Sequence, residues 1–223
     1  MKKCLISIIS LTLIASCGGS GESDDTLSSG VNSFDLTKIQ STVIGAVYST
    51  PLTGNDSDGK TYSGSLSITN QNKIMLNGVL VTPQQLTFQL TYSGPFSISR
   101  LESTGITHFD ASNNLISTST PSGSIICTSI SPDAMPSTVN IGDSGTRPTQ
   151  TCDNNTYKEN SWEITSGGNN SIVLSSTTFL KDQTNILIST AIDTYTINNL
   201  GEITSLKAVI TYSNGYTLTY EST

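Results

Sequence analysis

The acidic stretch from Asn55 to Gly59 contains residue types that can bind calcium. Two carboxylates, Asp56 and Asp58, alternate ahead of a glycine, and calcium is held mainly by carboxylate and carbonyl oxygens. A helix-flanked calcium loop would place its first ligand at Gly54 and its bidentate acid at Ser65, so two of its oxygen ligands are missing here. A polar hairpin turn uses the same residue types. Asp56 and Asp58 are therefore weak calcium candidates, and no other metal or cofactor is expected.

Ser144 and His108 are the residues that could supply a nucleophile and a base. The segment Gly142-Asp143-Ser144-Gly145 resembles the nucleophile segment of chymotrypsin-like proteases, and the single histidine of the chain precedes it. That family needs more than about a hundred residues between its histidine and its serine. Here the separation is 144 − 108 = 36 residues, and Thr146 stands where the family has glycine. A tight turn explains the same segment, so a hydrolase is the weakest of three functional hypotheses.

The N-terminal residues indicate how the chain is exported. Lys2 and Lys3 precede an apolar run from Leu5 to Ile14. A run of this length is typical of a secretory signal and is too short to cross a bilayer as a helix. It ends in Ile14-Ala15-Ser16-Cys17, which resembles the lipobox of bacterial lipoproteins.

The resemblance to bacterial lipoproteins implies that residues 1–16 form a signal peptide cleaved before Cys17. The thiol of Cys17 would carry diacylglycerol and its amine a further acyl chain such as palmitate, and several acyl chains anchor a protein more firmly than one. Gly18 follows the cysteine, whereas an aspartate there retains lipoproteins at the inner membrane, so the outer membrane is favoured. The resemblance covers about the first twenty residues, and it implies a location rather than an activity.

The remaining chain divides by composition into a tether and a domain. Residues 17–40 are predicted to be the lipidated cysteine and a flexible tether, because Gly18 to Ser33 is almost entirely Gly, Ser, Asp, Glu and Thr. Sixteen such residues have a root-mean-square reach of ~20–24 Å. Residues 41–223 are predicted to form a single β-rich domain. It could contain two similar halves, about 41–125 and 153–223.

The charge balance excludes one class of partner. The chain carries 10 basic and 17 acidic residues, and loss of Lys2 and Lys3 with the signal peptide changes the net charge from −7 to 8 − 17 = −9. The basic residues are spread singly and form no stripe that could bind phosphates. Nucleic-acid binding is therefore not expected. Lipid attached to Cys17 is the predicted membrane contact.

Two cysteines remain once Cys4 is removed and Cys17 is lipidated. Cys127 and Cys152 would lie in an oxidising compartment, which favours a disulfide. A metal site would need more thiols or imidazoles, and a catalytic thiol would need a basic partner. A disulfide across this loop is expected to stabilise the fold by ~3 kcal/mol in the chain-entropy model.

Period-two alternation predicts an all-β fold. Leu86 to Tyr92 alternates apolar and polar residues most cleanly, and Leu66 with Ile68 and the segment from Ile203 to Ile210 also read as strands. Turn dipeptides that favour two-residue hairpins separate such segments, namely Asp58-Gly59, Asn77-Gly78 and Asn214-Gly215. We expect an antiparallel β-sandwich or open β-barrel with meander hairpins and roughly ten to thirteen strands.

Two longer features interrupt this pattern. The segment from Ser129 to Thr151 carries Pro132, Pro136 and Pro148, and it is predicted to be a long irregular loop pinned by the disulfide. The segment from Phe109 to Ile116 weakly resembles the segment from Tyr195 to Ile203, as expected of an internal sequence repeat.

Aromatic residues suggest where the domain packs and where it binds. Trp162 is expected in the core beside Ile164. Tyr212, Tyr216 and Tyr220 belong to the last hairpin and could form a cross-strand ladder. A surface lined by tyrosines would suit a carbohydrate or a protein partner.

Three functional hypotheses follow. The first is a non-catalytic envelope lipoprotein whose β domain binds a protein or a glycan, and no enzymatic activity is expected of it. The second is a carrier that shelters an apolar ligand or lipid in a β-barrel cavity. The third is the hydrolase. An apolar cavity of a few hundred Å³ would favour the carrier, and a filled core would favour the surface binder.

Overall fold

The computed structural model describes residues 33–36, 48–93, 98–112, 114–120, 122–133, 136, 138–168 and 170–223. The predicted signal peptide, Cys17, most of the tether and the start of the predicted domain near residue 41 lie outside these residues. The described residues form strands and turns without a helix. None of them lies in a helix long and apolar enough to cross a bilayer.

Fifteen strands follow one another along the described chain. Their bounds are β1 (Ser33–Asp35), β2 (Tyr48–Asp56), β3 (Thr61–Asn70), β4 (Ile74–Leu76), β5 (Val79–Ser93), β6 (Ile98–Phe109), β7 (Leu115–Ser119), β8 (Ile126–Asp133), β9 (Thr138–Asn140), β10 (Ser144–Cys152), β11 (Thr156–Gly168), β12 (Ser171–Asp182), β13 (Leu187–Asn198), β14 (Ile203–Tyr212) and β15 (Thr217–Ser222).

Twelve of these strands form a closed antiparallel barrel with meander topology. Each of β2, β3, β5 to β8 and β10 to β15 pairs with the next one, and β15 pairs back onto β2 to close the sheet. The prediction of an all-β antiparallel fold with meander hairpins is confirmed. Of the two architectures considered, the protein adopts the barrel, and the barrel is closed rather than open. Strands from both of the halves distinguished in the sequence contribute to the same sheet.

The barrel has two ends, which we call upper and lower. The strands β2, β5, β7, β10, β12 and β14 finish at the upper end, and β3, β6, β8, β11, β13 and β15 finish at the lower end. The short strand β9 follows β8 and precedes β10 along the chain, so it lies at the lower end. The strand β1 pairs with β9 and therefore lies at the same end. Phe34, Leu36 and Val139 from this pair belong to the same buried cluster as the barrel core. The β1–β9 pair therefore covers the lower end of the core.

The alternation seen in the sequence corresponds to inward and outward faces. Along β5, Leu86, Phe88 and Leu90 are buried, and the residues between them are half-buried, so the strand predicted from Leu86 to Tyr92 is confirmed. At the β3–β5 pairing, Gly64 lies opposite Leu90, and an added Cβ there would overlap the carbonyl oxygen of Gln89. This close approach of the two strands requires a glycine.

The turns differ in length from the prediction. Asn77-Gly78 is a two-residue turn in which both residues have positive φ. At Asp58-Gly59 and Asn214-Gly215 only the glycine does, because each lies in a longer loop that a backbone hydrogen bond closes over five residues. The antiparallel neighbours that the three dipeptides predict are confirmed, but only Asn77-Gly78 forms a two-residue turn.

Four turns are closed by the same side-chain hydrogen bonds, and this explains why the segment 109–116 resembles the segment 195–203. In each, a side-chain oxygen accepts hydrogen bonds from the backbone N–H groups two and four residues later, which is an extended form of the Asx-turn. The turns that begin at Asp110 and Asn198 both use it, and they lie in these two segments. The four first residues are Asp56, Asp110, Asp182 and Asn198.

The segment from Ser129 to Thr151 is not the long irregular loop predicted from its prolines. It contains the end of β8, the short strand β9 and nearly all of β10. Pro148 falls where the register of β10 against β11 shifts between Arg147 and Gln150. A β-bulge leaves a residue unpaired, so a proline can lie within the strand without removing a ladder hydrogen bond.

Candidate functional site

The inward side chains that the structure describes in the middle of the barrel are almost wholly buried. Leu90 and Leu174 are 0% and 1% exposed, and the polar Gln150 and Lys158 are 1% and 4% exposed. A side chain that lined a water-sized cavity would keep accessible surface toward it, so at these positions neighbouring side chains occupy the space. These inward residues therefore form a packed core.

The core has an apolar part and a polar part. Leucine, isoleucine and aromatic side chains fill the interior along β2, β3, β5, β14 and β15 and the lower halves of β11 to β13. Polar side chains cover the inner faces of β7 and β10. They also cover the inner faces of β11 to β13 in the middle and upper parts of these strands. We call this second region the polar strip; it comprises Thr118, Arg147, Gln150, Lys158, Asn160, Ser176, Thr178 and Asp193.

Lys158 lies in the upper part of the polar strip. Its Nζ donates a hydrogen bond to Thr118 Oγ1 at 3.1 Å. Beside it on the same face of β11, Asn160 Oδ1 accepts a hydrogen bond from Thr178 Oγ1 at 2.7 Å. Burial lowers the pKa of Lys158 to about 8, because an ammonium group loses its hydration inside the barrel.

Asp193 lies in the middle of the strip, where β13 pairs with β12 and β14. It is 3% exposed and lies opposite Ser176 on one side and Ala208 on the other. Its Oδ1 has no hydrogen-bond donor among the described residues. Burial therefore raises the pKa of Asp193 to about 7. The same carboxylate contributes, after burial, to a raised pKa of the Tyr220 phenol.

The disulfide forms the wall beside Lys158. Cys127 and Cys152 lie directly opposite each other on β8 and β10 and are bonded, as the sequence predicted. On β10, two residues before Cys152, Gln150 points to the same face. Neither amide atom of the Gln150 side chain has a hydrogen-bond partner among the described residues. The strip thus combines a covalent link with polar groups that are incompletely paired.

Asp56 lies at the upper rim and is anchored by the turn that follows it. Its Oδ1 accepts hydrogen bonds from the backbone N–H groups of Asp58 and Lys60, and its Oδ2 accepts them from the hydroxyls of Tyr62 at 2.7 Å and Tyr216 at 3.0 Å. Burial alone would raise the pKa of Asp56, but these donors, led by Tyr62, lower it overall. Burial and the hydrogen bond to Asp56 together raise the pKa of Tyr62 to about 12.

This geometry bears directly on the calcium candidates. Both oxygens of Asp56 already accept hydrogen bonds, and Asp58 is exposed beside Lys60, with 3.6 Å between the charged groups. The described residues contain no group of three or more acidic, histidine or cysteine side chains that could hold a metal ion. Asp56 and Asp58 therefore act here as turn residues.

The proposed nucleophile and base lie far apart. His108 pairs with Ser117 across β6 and β7, Ser117 with Thr128, and Thr128 with Thr151, so these residues form one row across the sheet. Ser144 is 151 − 144 = 7 residues from the end of that row, which is on the order of 20 Å along the strand. His108 Nδ1 instead lies 3.0 Å from Ser117 Oγ, and burial lowers its pKa. The two residues cannot act as a nucleophile–base pair in this fold.

A shallow depression of about 380 Å³ lies on the outer wall across β14, β15, β2 and β3. Outward threonines and an asparagine line it, and Lys207 and Glu221 lie 4.0 Å apart on one side. Hydroxyl and amide groups both donate and accept hydrogen bonds, so this surface suits a ligand rich in hydroxyl groups. The polar side chains that line it are Thr53, Asn55, Thr61, Lys207, Thr219 and Glu221.

Sequence reasoning placed some of these residues and missed others. Trp162 and Ile164 are buried in the apolar core, as predicted. Tyr212 and Tyr216 lie side by side with tilted rings whose centroids are 5.9 Å apart, but Tyr220 points into the core, where its ring centroid lies 4.6 Å from that of Phe88. Lys158 and Asn160 were not anticipated in the interior, although they share the parity of Trp162 and Ile164 along β11.

Cys17, the predicted site of lipidation, lies outside the described residues. No protein-family model, curated protein or solved structure matches this chain.

Proposed function

We propose that this chain is a lipid-anchored protein of the bacterial cell envelope, with the outer membrane favoured, whose barrel is non-catalytic and binds a partner on its outer surface. The observation that carries the binding part is the filled interior. Inward side chains such as Leu90, Leu174 and Gln150 are almost wholly buried. A partner therefore has the outer wall and the two ends of the barrel to contact.

The filled interior also weighs against the carrier. An acyl chain or similar ligand needs a cavity of a few hundred Å³ lined by apolar groups. Here the apolar part of the core is occupied by its own side chains, and the remaining part is the polar strip. A ligand would have to displace packed residues to enter.

The outer-wall depression is the surface on which we place the partner. Its threonine hydroxyls, the Asn55 amide and the Lys207–Glu221 pair offer donors and acceptors in a concave patch. Glycan hydroxyl groups match such a patch because each can donate and accept a hydrogen bond. A glycan is therefore the partner class that this site favours, and a protein loop rich in polar groups is the alternative.

Crosslinking and pull-down of the lipidated protein from intact envelopes tests this function. We expect one saturable glycan or protein partner, lost in Thr219→Arg, which fills the depression with a long charged side chain. Thr190→Arg on the outer face of β13 is the matched control and should retain the partner. Recovery of lipid with no other partner would overturn the proposal in favour of the carrier.

The anchor has a separate test. Mass spectrometry of membrane-extracted protein should show acyl chains on Cys17 and no free thiol. Cys17→Ser should block processing and release the protein from the membrane. If this variant is still processed and remains membrane-bound, the lipoprotein assignment is wrong.

A further inference from the structure

Exposed apolar side chains are concentrated at the lower end of the barrel. Three of the eleven exposed large apolar side chains among the described residues lie at the upper end, namely Ile126, Ile186 and Leu187. Six lie at the lower end, each between 42% and 64% exposed, in the β4–β5 hairpin, in the turn between β9 and β10 and in the turn between β13 and β14. They are Ile74, Met75, Val79, Leu80, Ile141 and Leu200. Isolated exposed apolar residues are ordinary, but a group of this kind marks a contact with a partner or a membrane.

The β4–β5 hairpin projects beyond the barrel wall. The last pair that β5 makes with β3 is at Gln84, and its last pair with β6 is at Thr82. Residues 79–81 of β5 pair with β4 alone. Val81 is still 0% exposed, so the part that projects past the wall is the tip beyond it, residues 75–80. Met75 and Leu80 form one cross-strand pair of the tip, and Leu76 and Val79 form the next. Because adjacent pairs face opposite sides, the tip is apolar on both faces.

A tip that is apolar on both faces suits immersion in lipid better than packing on a protein surface, which would cover one face. The low charge of the tip also agrees with immersion in lipid. Lys73 is the one ionisable residue from 71 to 80. A lysine beside an apolar segment can keep its methylenes in the apolar layer and its ammonium group among the headgroups.

The path of the chain points the same end toward the membrane. Ser33 begins β1 at the lower end, and 33 − 17 = 16 residues separate it from Cys17. A linker of this composition has a mean reach of ~20–24 Å. The 12 residues of β13 alone span ~40 Å along the strand, which corresponds to a wall about 30 Å high once the usual strand tilt of ~35–45° is included. The mean reach of the tether is therefore shorter than the barrel wall, so the lower end stays nearer to the bilayer.

From these observations we infer that the lower end of the barrel rests on the lipid bilayer, with the tip of the β4–β5 hairpin inserted at the headgroup boundary. This inference rests on the lipid anchor at Cys17 proposed above, and it adds the orientation. The barrel stands with its upper end away from the membrane, so its outer wall is accessible to a partner.

Tryptophan depth measurements test the orientation. Met75→Trp and Ile186→Trp place an indole at opposite ends of the barrel, at positions that are 64% and 62% exposed. Each lipidated full chain is reconstituted into phosphatidylcholine vesicles with or without brominated acyl chains. Trp162 is buried and present in both proteins, so it serves as a common background. We expect brominated lipid to quench Met75→Trp beyond the unsubstituted protein and to leave Ile186→Trp at the background value.

Equal quenching at the two positions would overturn the inference. The inference would also be overturned if the fluorescence of Met75→Trp changed only when a second copy of the chain or another protein was bound, because the tip would then contact protein and not lipid. To separate this result from failure of the anchor, the Cys4→Ser chain is also produced without acylation and coupled through the Cys17 thiol to a maleimide lipid. Quenching of Met75→Trp in that sample supports the orientation even if native Cys17 carries no lipid. Its absence refutes the orientation whatever the state of native Cys17.

Discussion

Asp56 and Asp193 both have almost no exposed surface, but Asp56 lies at the rim of the barrel and Asp193 lies deep inside it. They are 4% and 3% exposed, yet the pKa of Asp56 is lowered and that of Asp193 is raised to about 7. Asp56 accepts four hydrogen bonds from the upper rim, whereas Asp193 Oδ1 has no donor among the described residues. Burial opposes ionisation in both but more strongly at Asp193, which lies deep in the barrel, and only Asp56 has hydrogen-bond donors that outweigh it.

The position of each residue in its strand explains the difference. Asp56 ends β2, where the following turn leaves backbone N–H groups free to point at its carboxylate. Asp193 lies in the middle of β13, where the neighbouring N–H groups are used by the ladders to β12 and β14. A strand end can therefore stabilise a buried carboxylate with backbone donors, and a strand centre must rely on side chains.

The largest expected effect on stability comes from removing the carboxylate of Asp56, which accepts four hydrogen bonds. Asp56→Ala should lower the free energy of unfolding by about 3–5 kcal/mol, because Tyr62, Tyr216 and two backbone N–H groups lose their acceptor. Urea unfolding at pH 7 measures it. Asp58→Ala, in the same turn but exposed, should change stability by no more than about 0.5 kcal/mol. Similar losses in the two variants would show that the turn itself, and not the carboxylate network, is what matters.

Replacing Asp193 is expected to raise the free energy of unfolding rather than lower it. Its pKa is raised from 3.8 to about 7, so the folded protein holds a proton that the unfolded chain loses above pH 4. Stability contributed by this group is present at low pH and is lost as the pH rises to 7. Asp193→Asn should therefore raise the free energy of unfolding by up to about 4 kcal/mol at pH 8 and change it little at pH 4.

Urea titrations at the two pH values check this, with Glu221→Gln, an exposed acid on the outer wall, as the control for net charge. A gain that is the same at pH 4 and pH 8 would count against ionisation of Asp193 as its cause. The comparison between variant and parent also removes the contribution of His108, whose lowered pKa makes its own stabilisation fade as the pH falls.

Reduction of the disulfide measures how far the wall of the polar strip depends on a covalent link. Breaking Cys127–Cys152 should lower stability by about 3 kcal/mol, because the unfolded chain regains the entropy of a closed loop. A lower thermal midpoint in reducing buffer is the expected result. Membrane association should be unchanged, since the lipid is predicted on Cys17. Loss of membrane association on reduction would contradict the separation of the two roles.

The smallest effect concerns a single donor at the upper rim. Tyr62→Phe should cost about 1–2 kcal/mol, because it removes one hydrogen bond to an ionised acceptor. It should also raise the pKa of Asp56. Stability from a lowered carboxylate pKa is lost as the pH falls, so the acid-induced loss should begin at a higher pH in the variant. Acid titration followed by circular dichroism measures the midpoint, and an unchanged midpoint would show that the other donors compensate.

Local patterns were enough to predict several of the strands and some of their partners. The alternation from Leu86 to Tyr92 predicted a face of β5, because side chains in a strand point to opposite sides with period two. The compartment and the count of cysteines predicted the Cys127–Cys152 bond. Local patterns misjudged the segment from Ser129 to Thr151, where a bulge accommodates Pro148 within a strand.

The sequence alone determined several of the strand segments with their alternating faces, and the disulfide, because each of these depends on residues near one another or on composition. Tertiary structure decided the closure of the barrel. Leu218 pairs with Asp56, 218 − 56 = 162 residues earlier, and alternation tells which face a residue belongs to but not which strand lies beside it. Closure turns one face into an interior, so it also decided that Lys158 and Asp193 are buried and that Asp56 meets Tyr216. The pKa values follow from those contacts and exist only in the folded barrel.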